Sequence, residues 1–329
     1  MKKELLMGTA LVSTLGAASV AEAVTATMSG NHQTGIEFDS PTGGTDTNAQ
    51  INDNNFTVSL SETTDGGMTI SSSFKVMDEN TKEDYDAGFT LAFTDGSKLD
   101  VINAGNASGS HAVSIPGSAG AEGVATTSTN MAPTGLDTGA TATVFGVEYH
   151  TAADFLADGL KASISLSTDS GAAATATYRV DSHVAIGATY VTDLGDSAVT
   201  LGGGISQVEG SKSTGNAATN DTNGYHVGLS AVTGDLTVAV GFADGSKAGV
   251  SDNGSDEYTA EVVKAGVKYV TGDLTFNVGI ASGDAKDNTI GTTGGSDDSK
   301  DVTSASVSYA VASGVTAILG YTSVEASDE

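Results

Sequence analysis

Leu274, Phe276, Val278 and Ile280 alternate with Thr275, Asn277, Gly279 and Ala281, so an extended chain here carries one wholly apolar face and one small, polar face. Helical spacing is absent from that window. The same period of two recurs at Leu236, Val238, Val240 and Phe242, at Leu160, Ala162, Ile164 and Leu166, and at Ala305, Val307, Tyr309 and Val311. FTVSLSE (56–62) and MTISSSF (68–74) read as the two arms of a hairpin. Phe56, Val58, Leu60, Met68, Ile70 and Phe74 share its apolar face, and Thr57, Ser59, Ser71, Ser73 and Lys75 share the other.

The connections between these segments fall into two kinds. Brief ones lie at 64–67, 94–97, 151–159, 193–197, 233–235, 270–273 and 312–314, several with the Gly-Asp or Asp-Gly pairs that tight hairpins use. Longer ones, rich in Gly, Asn, Asp and Ser, span about 39–55, 77–84, 104–141, 168–182, 208–224, 243–257 and 282–301, with an eighth starting near Ser323. Brief and long connections alternate throughout, the signature of a membrane-spanning meander with tight turns at one end and extended loops at the other. The parse assigns ATATYRV (174–180) to a loop and yields fifteen strands. An even-stranded barrel needs a sixteenth, so a C-terminal fragment of about 15–25 residues carrying that last strand is expected beyond Glu329.

Aromatic placement supports lipid on the apolar face. Phe93, Tyr149, Tyr190, Tyr269 and Tyr309 fall near the brief turns, while Phe38, Phe74, Tyr85, Tyr225 and Phe242 fall near the long connections. Two such rows make the girdles of a bilayer-spanning strand array. The expected fold is therefore all-β, a transmembrane antiparallel up-and-down β-barrel of 16 strands, with its Ser/Thr/Gly face lining water.

Composition narrows the function. A net charge of −28 with 13 Lys plus Arg excludes a nucleic-acid partner. There is no cysteine, and the five histidines lie at no metal-ligand spacing, so no cofactor is expected. Acids collect in the long connections, at Asp78, Glu79, Glu83 and Asp84, at Asp252, Asp256 and Glu257, and at Asp297, Asp298 and Asp301. These solubilise the surface, and divalent cations or lipopolysaccharide phosphates bridged by them are the alternative use. Residues 1–23 carry Lys2 and Lys3, an apolar run and a closing Ala21-Glu22-Ala23, the pattern of a cleaved secretory signal. The mature chain then begins at Val24. No GxSxG, phosphate-loop or EF-hand pattern occurs, and no enzymatic activity is expected.

The signal segment, VTATMSGNHQTGIEFDS (24–40), the TTDGGMTISSSF hairpin, DAGFTLAFTDGSKLDV (86–101) and ASGVTAILGYT (312–322) together resemble the general porins of alphaproteobacteria, over essentially the whole mature chain. The resemblance implies a homotrimeric outer-membrane channel for passive diffusion of small hydrophilic solutes, in contact with outer-membrane lipid and lipopolysaccharide and narrowed by its third long loop, here residues 104–141. Acids on that loop would then face basic wall residues. The loop supplies Glu122 and Asp137. By strand parity the wall supplies Lys75, Lys161, Lys264 and Lys268 against Glu37, Asp100 and Glu148. With Arg179 the single arginine, a weak transverse field and a mild cation preference are expected. The competing reading is a secreted acidic surface-layer or adhesin-like β protein.

Overall fold

The computed structural model describes residues 24–39, 47–78, 81–82, 88–101, 106–117, 145–168, 178–212, 221–248, 257–288 and 297–328. They belong to two compact units, Met1–Asn103 and Ala104–Glu329. In each, consecutive strands pair antiparallel in chain order.

The first unit contains β1 (Thr25–Asp39), β2 (Thr47–Thr63), β3 (Thr69–Asp78), the two-residue β4 (Thr81–Lys82), β5 (Phe89–Ala92) and β6 (Lys98–Val101). The hairpin expected at 56–74 forms in register, Val58 opposite Phe74 and Ser59 opposite Ser73, so apolar and polar residues sort to opposite faces. A bulge between Phe56 and Thr57 then shifts the pairing, and Met77 comes opposite Phe56.

The second unit contains β7 (Phe145–His150), β8 (Leu160–Thr168), β9 (Tyr178–Leu194), β10 (Ser197–Lys212), β11 (Thr222–Thr233), β12 (Leu236–Ala248), β13 (Glu257–Thr271), β14 (Leu274–Asn288), β15 (Asp297–Ala312) and β16 (Val315–Asp328). Its tight turns use Gly-Asp pairs: Gly195, Gly234 and Gly272 all adopt positive φ, 54° at Gly234. An L side chain there would meet the following carbonyl, which is why glycine opens these two-residue loops.

Among the described residues, fifteen strands follow one another in antiparallel order within the two units, with the two-residue β4 paired only to β3, matching the expected meander. Several segments read as loops are strand instead. β2 starts at Thr47, β10 runs to Lys212, β12 to Ala248 and β14 to Asn288. Residues 178–180, placed in a loop by the pattern, open β9, and a register shift between Glu209 and Gly210 absorbs the irregularity. The pattern missed these extensions because hydrophobic alternation marks only the stretch whose face needs apolar contact. Backbone pairing continues past it without any such requirement.

The faces are inverted relative to a water-soluble sheet. Val278 is 51% exposed and Leu201 47%, whereas Ser304 and Glu148 are 1% exposed and Ser163 4%. No second layer covers the apolar stripes of the described strands: Ile186, Ile205, Val227, Val240, Val267 and Phe276 are all exposed. Phe93, Tyr149, Tyr190, Tyr269 and Tyr309 are exposed on that face near the tight turns. At its other end Tyr225 leans on Phe242, ring centroids 6.0 Å apart. Tyr85 lies outside the described residues.

Candidate functional site

The polar face of the second unit is covered by its own chain. Residues 106–117, NASGSHAVSIPG, lie against the inner sides of β7 to β15, with a single 3-10 turn at Gly109–His111. The turn is closed by Ser110 N–H donating to Asn106 O (2.9 Å) and Ala112 N–H to Gly109 O (3.1 Å). Just before it Asn106 Oδ1 accepts from Ser108 N–H at 3.0 Å, an Asx turn.

Hydrogen bonds tie the segment to the wall along its length. Ala107 N–H donates to Ser165 Oγ (3.0 Å), and Ser110 Oγ donates to Glu148 Oε1 (2.7 Å). His226 Nε2 donates to Ser108 O (2.8 Å), and at the far end Ser304 Oγ donates to Gly117 O. His111 is buried between two hydroxyls, Nδ1 at 2.7 Å from Thr189 Oγ1 and Nε2 at 2.8 Å from Ser163 Oγ. Ser163 Oγ also reaches His150 Nδ1 at 2.7 Å, while His150 Nε2 sits 3.4 Å from Glu148 Oε1.

One set of proton positions satisfies that chain. His150 turns its Nε2–H to the Glu148 carboxylate, so its Nδ1 accepts from Ser163. Ser163 in turn accepts from His111 Nε2–H, and His111 Nδ1 accepts from Thr189. The His111 imidazole is then neutral. Burial holds the His111 imidazole below its ordinary pKa, reinforced by His150, His226 and Lys161, so the neutral form is the one favoured.

Between these anchors the wall makes room by omitting side chains. A Cβ built on Gly204 would lie 2.5 Å from Ser108 Cα, and one on Gly228 would lie 2.7 Å from Val113 Cβ. On Gly266 it would meet Pro116 C at 2.8 Å, and on Gly279 it would meet Pro116 O at 2.7 Å. Gly187 is pressed against Ala107 and His111, Gly202 against His111 and Val113. These positions are cross-strand neighbours: Gly187 faces Gly204, Gly202 faces Gly228, Gly228 faces Gly241, and Gly266 faces Gly279, which faces Ser304. A band of glycine thus crosses β9 to β14, stepping by two residues within β10 and again between β12 and β13, where Gly241 faces Lys264.

The residues singled out by parity distribute as follows. Glu37, Lys75 and Asp100 take the polar-face register of the first unit, where Asp100 accepts from Thr90 Oγ1 and pairs with Lys98 at 3.3 Å. Glu148, Lys161, Lys264 and Lys268 take the polar-face register of the second. Glu148 is the one most changed by the fold, since Ser110 and the segment above it remove it from solvent. Glu122 and Asp137 lie outside the described residues. Sequence reasoning missed the glycine band and the pairing of His111 with His150. The band was present as glycine at polar-face parity on six successive strands, central in AIGAT, HVGLS, AVGFA, KAGVK and NVGIA and flanking the centre, as Gly202 and Gly204, in LGGGI.

Exposed apolar stripes, a small polar opposite face and a loop segment laid against it are the pattern of the strands of a transmembrane β-barrel. Residues 8–329 match the family model described as Gram-negative porin, and the chain belongs to that family. Solved structures agree on the fold. OmpT of Vibrio cholerae, in its trimer form, superposes with a TM-score of 0.64 at 13% identity, covering 93% of this chain and 90% of that one. The anion-selective porin of Comamonas acidovorans gives 0.58 at 13% identity, over 91% and 89%. A variant of the Rh. blastica porin gives 0.54 at 16% identity, over 92% and 98%. No curated protein matches by sequence. An outer-membrane porin follows from the family, in line with the resemblance to alphaproteobacterial porins.

Proposed function

We propose that the chain is a general diffusion porin, a homotrimer that passes small hydrophilic solutes and ions through the outer membrane with a weak preference for cations, and that it has no enzymatic activity. The observation that carries the reading is the inversion of faces: apolar side chains point outward and are exposed, while hydroxyls, glycines and the charged residues Lys161, Lys264 and Lys268 point inward. A secreted surface protein would have no use for a continuous exposed apolar belt, and its cost in water disfavours that reading.

The cation preference rests on the net charge of −28, which raises the local cation concentration at the channel mouths. Inside, basic and acidic wall residues occur together, and Glu148 is shielded beneath Ser110, so the internal field is weak. Residues 1–23 act as the cleaved export signal. The trimer is supported by the trimeric form of the OmpT structure. Lipopolysaccharide is the outer-leaflet partner of the apolar belt, and the acidic loops offer carboxylates to divalent cations that bridge its phosphates.

Planar-bilayer recording tests the proposal. Purified protein should add conductance in discrete ohmic steps, and a salt gradient should give a small reversal potential of cation-selective sign that shrinks as salt rises. Absence of steps, or an anion-selective sign, would count against it. Calcium should raise the melting temperature if the loop carboxylates bind it.

A further inference from the structure

We propose that the glycines of β9 to β14 are a fitted seat that sets the bore of the channel: residues 106–117 lie flat on the wall because these positions carry no Cβ, and a single methyl there displaces the segment into the lumen. The proposal rests on the porin reading and extends it to specific positioning residues. With the segment seated, the surface met by a passing solute along this stretch of wall is the segment's own outer side, where Gly109, Ser110, Ala112 and Ser114 are exposed. Beneath it Ser163, Ser165 and Glu148 are sealed off, 4%, 5% and 1% exposed.

The clearances grade the effect. Gly266 and Gly279 face the backbone of Pro116 and Gly117, which cannot rotate away. Gly228 faces Val113 Cβ at 2.7 Å and Cγ2 at 3.1 Å. At Gly241 the nearest atom is Ile115 Cδ1 at 3.3 Å, the mobile tip of a long side chain. Close packing transmits such an overlap as a shift of the weaker partner, and the loop segment is weaker than a strand paired on both sides.

The decisive experiment is a size swap read by single-channel conductance. Gly228→Ala should lower the conductance step, Gly241→Ala should lower it less, and adding Val113→Gly to Gly228→Ala should restore it, because the added methyl then occupies the volume of the deleted side chain. Wild-type steps show that the channel reading holds, so the variants address the seat alone. Gly228→Ala conducting like wild type, or a double variant that stays low, would overturn the proposal. Should Gly228→Ala not fold, thiol labelling in the otherwise wild-type protein decides. Ser165→Cys should react far more slowly with a water-soluble thiol reagent than Ser114→Cys, and equal rates would overturn the seat.

Discussion

Ser59 and Ser163 occupy equivalent places in two regions of the molecule, both on the polar face of a strand, and they do different work. In β2, Ser59 is only paired sideways, its Oγ 2.7 Å from that of Ser73 on β3. In β8, Ser163 lies under residues 106–117 and joins two imidazoles. The same binary pattern therefore serves as a wetted wall in the first region and as the floor of a buried polar layer in the second. A hydroxyl at the wall exchanges water for a neighbour at little net gain. One in the buried layer, if lost, leaves partners that no water reaches.

The outer face is what the two regions share, so charging it should damage both, with the largest effect. Leu60→Arg in β2 and Val278→Arg in β14 are each expected to cost about 2–4 kcal/mol in lipid-refolded protein, as for a cation near the bilayer midplane. Denaturant unfolding checks this, and tolerance in one region alone would show that its stripe does not face hydrocarbon. Next, Ser163→Ala should cost about 1–3 kcal/mol by stranding His111 Nε2 and His150 Nδ1.

Acidification should separate the regions further. The pKa of His111 is lowered in the folded state, so the unfolded chain binds the proton more readily. Stability is complete above the ordinary imidazole value of about 6.5 and declines as pH falls below it. Glu148, His150, Lys161 and His226 are the ionisable groups facing that imidazole from β7, β8 and β11. Proteolysis within 106–117 should accelerate below that pH, and His111→Gln should flatten the profile. Smallest of all, Ser59→Ala should stay within about 0.5 kcal/mol of wild type in the same unfolding assay.

Much of this was legible in the sequence. Strand number, turn positions and the sorting of faces follow from period-two alternation and Gly-Asp pairs, because both are local consequences of backbone geometry. What lay beyond reach was which polar-face residues meet water. Glu148 and Lys161 look alike by parity, and only the path of a segment whose Ser110 lies 38 residues away in the chain hides the first. The strand extensions were missed for a related reason, since Tyr178–Val180 pair through their backbone, which carries no sequence signal. The glycine band was written openly on six strands. Its meaning depends on a partner that approaches from outside the sheet.

The surplus length of the strands has its own consequence. A tilted strand crosses hydrocarbon with about 9–11 residues, whereas β9 has 17 and both β10 and β15 have 16. The excess remains laddered to its neighbours, Asp284 opposite Ser299 and Lys286 opposite Asp297. The ends of these strands remote from the tight turns thus form a stiff parapet several residues tall, so that a change at its crest leaves the bilayer crossing untouched.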